Sequence, residues 1–192
     1  KIIITGGLGY IGTELCKIYS GVSWNDKITV IDNRFISERV NQLRNWNMEF
    51  VHGDILDKEL INKYCKDADI VHHLAGVTDV PRVKSESSEL SDNKIKLVAE
   101  EGTQNILNSI SDKCKIILPS THVVFEGIDV VKNNIVEDEE LKPILSYANS
   151  KAINEKQLKN SGKNYIILRL GSVYGYSSDT ARIDIMPNLF SK

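Results

Sequence analysis

The sequence predicts an α/β fold: a doubly wound parallel sheet with helices on both faces. Three observations lead there. Short apolar runs bounded by turn residues alternate with longer segments of helical period. The first apolar run ends in TGGLGYIG, Thr5 to Gly12, a glycine-rich passage from strand to helix. A second run, KITVID, ends in a carboxylate, Asp32, about twenty residues beyond Gly12.

Strands are expected at Lys1 to Thr5, Lys27 to Asp32, Met48 to His52, Ile70 to Leu74, Lys115 to Pro119 and Tyr165 to Leu170. Helices are expected near Tyr10 to Ser20, Lys58 to Lys66, Leu90 to Ile110 and Tyr147 to Asn160. In the third helix Ile95, Val98, Gly102, Ile106 and Ile110 recur at intervals of three and four, an apolar stripe that should face the sheet. Right-handed crossovers make 3-2-1-4-5-6 the default strand order, with a ligand crevice at the carboxyl ends of the strands. Thr78 to Asp92, polar and rich in Ser and Glu, reads as a mobile loop near that crevice, and Glu137 to Glu140 as a solvated acidic loop.

The glycine turn carries the most local chemistry. Gly6, Gly9 and Gly12 let the backbone turn sharply, approach a pyrophosphate and pack a helix against the sheet. The free N–H groups of the helix start, at Tyr10, Ile11 and Gly12, would then face the anion. No Lys-Ser or Lys-Thr pair follows, so a triphosphate-binding loop is not supported. A turn that binds nothing has the same glycines. Asp32 favours the dinucleotide reading, because it can accept hydrogen bonds from both adenosine ribose hydroxyls and would repel a 2′-phosphate. NAD is therefore favoured over NADP, although Arg34, two residues on, can receive such a phosphate.

YANSK, Tyr147 to Lys151, places a phenol and an ammonium one helical turn apart. Tyrosine titrates near about pH 10, so acid or base work near neutrality requires something that favours phenolate. The Lys151 charge and the start of the helix would both do so. Lys151 can also hold the ribose of a nicotinamide. A surface tyrosine beside a solvated lysine has the same spacing. The fifth strand, however, runs into PSTHVVFEG, bringing the hydroxyls of Ser120 and Thr121 to the same carboxyl edge, where they can meet a substrate oxygen.

On these motifs the chain resembles an extended short-chain dehydrogenase/reductase of the NAD-dependent nucleotide-sugar epimerase/dehydratase family. TGGLGYIG resembles the family's TGxxGxxG, VIDN (to Asn33) its second-strand acid, and GDILD (Gly53 to Asp57) its adenine-contacting segment. HLAG (His73 to Gly76) resembles its fourth-strand end, STHVVFEG its hydroxyl segment, YANSK its YxxxK, and LRLGSVYG (Leu168 to Gly175) its sixth strand and loop. The resemblance implies a Rossmann domain over residues 1–175 that binds NAD, with 176–192 starting a substrate-binding region that is cut short. It implies that Asp54 and Ile55 meet adenine and that Leu74, Ala75 and Gly76 line the nicotinamide half. Thr121, Tyr147 and Lys151 would be catalytic, and Ser120, Thr121 and Ser172 would touch a nucleotide sugar.

Departures from the pattern bear on the substrate more than the cofactor. His122 and Val123 stand where the sugar 4,6-dehydratases carry an Asp-Glu pair, which favours an epimerase. Ala99 and Ser172 replace asparagines, and Tyr176 a proline. A sugar-nucleotide reductase or dehydrogenase, and a non-catalytic dinucleotide-binding module, remain the alternatives.

Composition narrows the field further. A net charge of −2 and no dense basic run argue against nucleic acid. No apolar stretch approaches a membrane span, and Cys16, Cys65 and Cys114 are odd in number and widely spaced, as buried thiols in a reducing cytosol would be. No Cys or His spacing resembles a metal site, and His73 reads as a strand-end residue. The expectation is a cytoplasmic enzyme, and the resemblance adds a homodimer formed through the helices Leu90 to Ile110 and Tyr147 to Asn160.

Overall fold

Side chains of a strand alternate between the faces of a sheet, so a run of consecutive isoleucines requires cover on both. β1 (Ile2–Thr5) meets that requirement, being buried at all four positions. A computed structural model describes residues 1–22, 26–77, 88–175 and 177. After β1 the chain forms α1 (Tyr10–Ser20), β2 (Ile28–Asp32), α2 (Ser37–Asn45), β3 (Glu49–His52), α3 (Lys58–Cys65) and β4 (Ile70–His73). It continues through α4 (Glu89–Ser109), β5 (Lys115–Thr121), α5 (Ser146–Asn160) and β6 (Asn164–Leu170). The strands form one parallel sheet in the expected order, β3-β2-β1-β4-β5-β6.

Two apolar layers flank that sheet. Ile2 and Ile4 of β1 pack with Val30 of β2, Cys16 of α1, and Val40 and Leu43 of α2. Ile3 and Ile31 face the opposite way, among Val71, Ile116, Leu118, Ile61 of α3, Ile106 of α4 and Leu158 of α5. Each fully buried isoleucine contributes about 1.5–3 kcal/mol of transfer free energy. Of the predicted stripe of α4, Ile106 and Ile110 belong to this second layer and Val98 packs on it, and Ile95 is buried as well. All three cysteines are buried free thiols. Burial pushes Cys16 and Cys65 up to about 12 and Cys114 up to about 11, leaving each an inert thiol.

The structure corrects the sequence reading in three places. Helix α2 was not expected, because Ser37–Asn45 offers only Val40 and Leu43 as an apolar stripe among polar residues. β5 runs two residues past Pro119, so Ser120 and Thr121 belong to the strand itself. Glu89 to Asp92 is the first turn of α4 rather than loop, with the Ser88 hydroxyl accepting from the Ser91 amide as N-cap. The remainder of the expected polar loop, 78–87, lies outside the described residues, as does nearly all of 176–192. Every other expected boundary lies within one residue of the observed one.

Parallel strands bring their carboxyl ends to one edge. The glycine turn, Asp32, Leu74 to Gly76, Thr121 and Ser172 therefore share it. A crossover helix runs back against the strands, so the first turn of α5, with Tyr147, starts at that edge too.

Candidate active site

The glycine turn has no room for side chains. Gly6 adopts φ +70°, and a Cβ there would lie 2.6 Å from the Ala75 amide nitrogen. A Cβ at Gly12 would lie 2.6 Å from the Gly6 carbonyl oxygen, so the start of α1 is pressed against the turn. The N-cap of α1 is Gly9 and no side chain caps it. The amides of Tyr10, Ile11 and Gly12 thus open the helix without intrahelical partners and suit a phosphate oxygen. This bare cradle is what a dinucleotide pyrophosphate requires, so the residues present fit the cofactor.

Asp32 is 5% exposed at the end of β2. One carboxylate oxygen accepts from the Leu8 amide at 3.0 Å; the other accepts from the Arg34 amide at 3.0 Å and its Nε at 3.3 Å. Arg34 therefore pairs with Asp32, while half of its side chain stays exposed. Arg39, a residue of the unexpected α2, donates to the Leu8 carbonyl and braces the turn from below. The adenine-side candidates are joined: Asn33 donates to Asp54 at 3.0 Å, and Asp54 accepts from the Leu56 amide at 2.9 Å. Asn105 of α4 fixes the buried Ile55 by donating to its carbonyl at 3.0 Å. Neither Arg39 nor Asn105 was legible beforehand, since each acts through a backbone oxygen and has no motif.

On the other side of the crevice, Lys151 is 9% exposed and donates to the Pro119 carbonyl at 2.9 Å. Its nitrogen lies 5.9 Å from the centre of the Tyr147 ring, which is half-buried. Burial pushes the lysine down to about 8, so its proton is held more loosely than that of a solvated lysine. Thr121 ends β5, is 8% exposed, and caps the 3-10 turn His122–Phe125 by accepting from the Val123 amide at 3.4 Å. Glu126 follows, and one of its oxygens accepts from the amides of Ile144 and Leu145 at 2.7 and 2.6 Å, fixing where α5 starts. The Thr121 turn and the tyrosine helix are thereby clipped together.

Ser120 is committed elsewhere. Its hydroxyl is buried and donates to Glu155 at 2.6 Å, on the face of β5 under α5, so a substrate contact there is at odds with the geometry. Glu155 also accepts from Arg169 Nε at 3.0 Å and Nη2 at 2.7 Å. Burial alone would raise the Glu155 carboxyl, but the hydrogen bonds from Arg169 and Ser120 hold it below the usual range. Ser172 is exposed beyond β6. His122 donates through Nδ1 to the Leu170 carbonyl at 3.2 Å.

His73 sits between the two sides. It is 2% exposed, with Nδ1 at 2.9 Å from the Thr5 hydroxyl and Nε2 at 3.0 Å from the Thr103 hydroxyl. Burial, reinforced by the Lys151 charge, pushes it down to about 3, so it is neutral. Among the described residues no group of three or more His, Cys, Asp or Glu side chains is placed to hold a metal ion, and no helix is long and apolar enough to cross a membrane.

A bare glycine turn leading into an uncapped helix, with an acid at the end of the second strand of a 3-2-1-4-5-6 parallel sheet, defines a dinucleotide-binding Rossmann domain. The sequence narrows this further. Residues 2–191 match the NAD dependent epimerase/dehydratase family, and the chain belongs to it. It is 33% identical over 196 residues to a dTDP-D-glucose 4,6-dehydratase of Dictyostelium discoideum, and 33% identical over 149 residues to a CDP-paratose 2-epimerase of Salmonella typhi. These matches cover 91% and 71% of this chain but 44% and 41% of the relatives, so the chain spans less than half of their length. Among solved structures, UDP-glucose 4-epimerase from Brucella ovis in complex with NAD superposes with a TM-score of 0.73 at 26% identity, over 92% of this chain and 53% of that one. Epimerases and a dehydratase both stand among these relatives, so likeness alone does not choose the reaction.

Proposed function

We propose that the chain is the NAD-binding part of an enzyme that acts on a nucleotide sugar, with epimerisation favoured over 4,6-dehydration. The observation that carries this is the Tyr147–Lys151 pair, set on the edge where Thr121 ends β5, with a buried ammonium 5.9 Å from the phenol ring. NAD, when bound, would accept a hydride from a carbinol carbon and, in an epimerase, return it to the other face. Gly6, Gly9 and the amides of Tyr10 to Gly12 would bind its pyrophosphate, Asp32 and Asn33 the adenosine ribose, and Asp54 and Ile55 the adenine. Leu74, Ala75 and Gly76 would line the far half.

Tyr147 would take the proton of the sugar hydroxyl as the carbinol is oxidised and return it later, with Lys151 favouring the phenolate and Thr121 donating to the same oxygen. Ser172 would border the sugar. Ser120, held by Glu155, would steady the strand end rather than touch substrate. His122 and Val123 in place of an acid pair beside Thr121 leave no carboxyl there to protonate a departing hydroxyl, which is the ground for favouring epimerisation. The buried thiols suit a cytoplasmic setting, and pairing of two copies through α4 and α5 completes the reading.

In the intact gene product, Tyr147→Phe should lower turnover of UDP-glucose or dTDP-glucose by about 10³-fold while NAD binding persists. Turnover retained in that variant would remove Tyr147 from its role. Steady accumulation of NADH matching product would show a dehydrogenase instead.

A further inference from the structure

We propose that His73 and Thr103 are positioning residues: a buried hydrogen-bonded chain, Thr5–His73–Thr103–Asn154, ties the floor of the glycine cradle to the helix bearing Tyr147 and Lys151, so that filling the cradle is felt on α5. The proposal rests on the reading of the glycine turn as the dinucleotide site.

The chain crosses four elements. Thr5 ends β1, His73 ends β4, Thr103 lies within α4 and Asn154 within α5, and all four are at most 3% exposed. The links measure 2.9 Å from Thr5 to His73, 3.0 Å from His73 to Thr103, and 2.9 Å from Asn154 to Thr103.

At the cradle end, the Thr5 hydroxyl also accepts from the Ala75 amide at 3.3 Å. That amide is the group a Cβ on Gly6 would strike, so the cradle wall and the chain share an atom. At the other end, Asn154 lies one turn beyond Lys151 and also donates to the Ala99 carbonyl at 2.8 Å, pinning α5 to α4. A neutral imidazole has one donor and one acceptor nitrogen, which is what a bridge between two hydroxyls needs. Valine and leucine could fill the same volume without any polar group to satisfy, and buried polar networks of this kind act chiefly by fixing geometry. A rigid chain from cradle to helix is a physical route for coupling the two sites.

ADP is the probe, because it fills the adenosine and pyrophosphate positions and lacks the nicotinamide ribose that would touch Lys151 directly. Hydrogen–deuterium exchange of the full chain should show ADP slowing the amides of α1 and also, about tenfold, those of α5. In Thr103→Val the slowing of α1 should persist and that of α5 should fall below about twofold. Asn154→Ala, which cuts the chain at its last link, should behave the same way and guards against a misfolded valine variant. Undiminished slowing of α5 in the variants, or slowing of α1 alone in the unsubstituted protein, would overturn the coupling. If ADP slows neither helix, the cradle reading fails and the coupling with it.

Discussion

The cofactor side of the crevice is defined by missing atoms, the tyrosine side by buried charges. Around Gly6 and Gly12 the backbone closes to distances that a single Cβ would violate, and the polar contacts run to main-chain amides and carbonyls at Leu8, Arg34 and Ala75. On the tyrosine side the contacts are made by long side chains, the buried Lys151 and Glu155 of α5 and the partly exposed Arg169 of β6, set against β5. The first kind of site fails when an atom is added, the second when one is removed. The glycine turn itself carries no charge, although the buried Asp32 and Arg39 flank it, whereas the other side keeps Lys151 and Glu155 where solvent would hold them better.

Three substitutions sharpen the contrast. Arg169→Leu should have the largest effect. It leaves the Glu155 carboxylate, 1% exposed, with the Ser120 hydroxyl as its remaining donor among those described, and should cost about 3–5 kcal/mol in urea unfolding. A loss under about 1 kcal/mol would mean that the pairing of Arg169 with the buried Glu155 is dispensable.

Lys151→Met should act in the opposite direction. The folded lysine, pushed down to about 8, releases its proton more readily than the unfolded one, so between pH 8 and 10.5 the unfolded chain binds more protons and stability rises with pH. At neutral pH burial of the ammonium therefore weighs against folding. Methionine should stabilise the protein by roughly 2 kcal/mol near pH 7, after the hydrogen bond to Pro119 is forfeited. The gain should shrink as pH rises through that window. A pH-independent difference between the two proteins would contradict a depressed lysine.

Gly6→Ala should cost at least about 1–2 kcal/mol of stability from left-handed strain, with the close approach of its Cβ to the Ala75 backbone adding to that. Its effect on NAD should be out of proportion, at least about tenfold weaker binding by calorimetry, since the cradle itself must shift. Equal NAD affinity would show that the turn is not the pyrophosphate site.

The two sides also differed in how much of them could be read beforehand. TGGLGYIG and Asp32 announce themselves because glycine spacing and a strand-end acid are local consequences of backbone geometry. The pairing of Tyr147 with Lys151 was legible for a similar reason, helical periodicity. The place of Ser120 was not legible, because β5 runs two residues past Pro119; continuing the strand puts alternate side chains on opposite faces and sends its hydroxyl to Glu155. Arg39, Asn105 and Asn154 carried no signal, because each bonds groups in segments far away in the chain.

The sequence by itself determined the sheet, its strand order, the bare turn and the one-turn spacing of Tyr147 and Lys151, since each follows from periodicity, handedness or the conformational freedom of glycine. Only the tertiary structure decided which hydroxyl stays at the edge, that Lys151 is desolvated, and that His73 joins the cradle to α5. Those depend on the burial and distance of groups brought together from separate elements, and no local pattern in the chain encodes either.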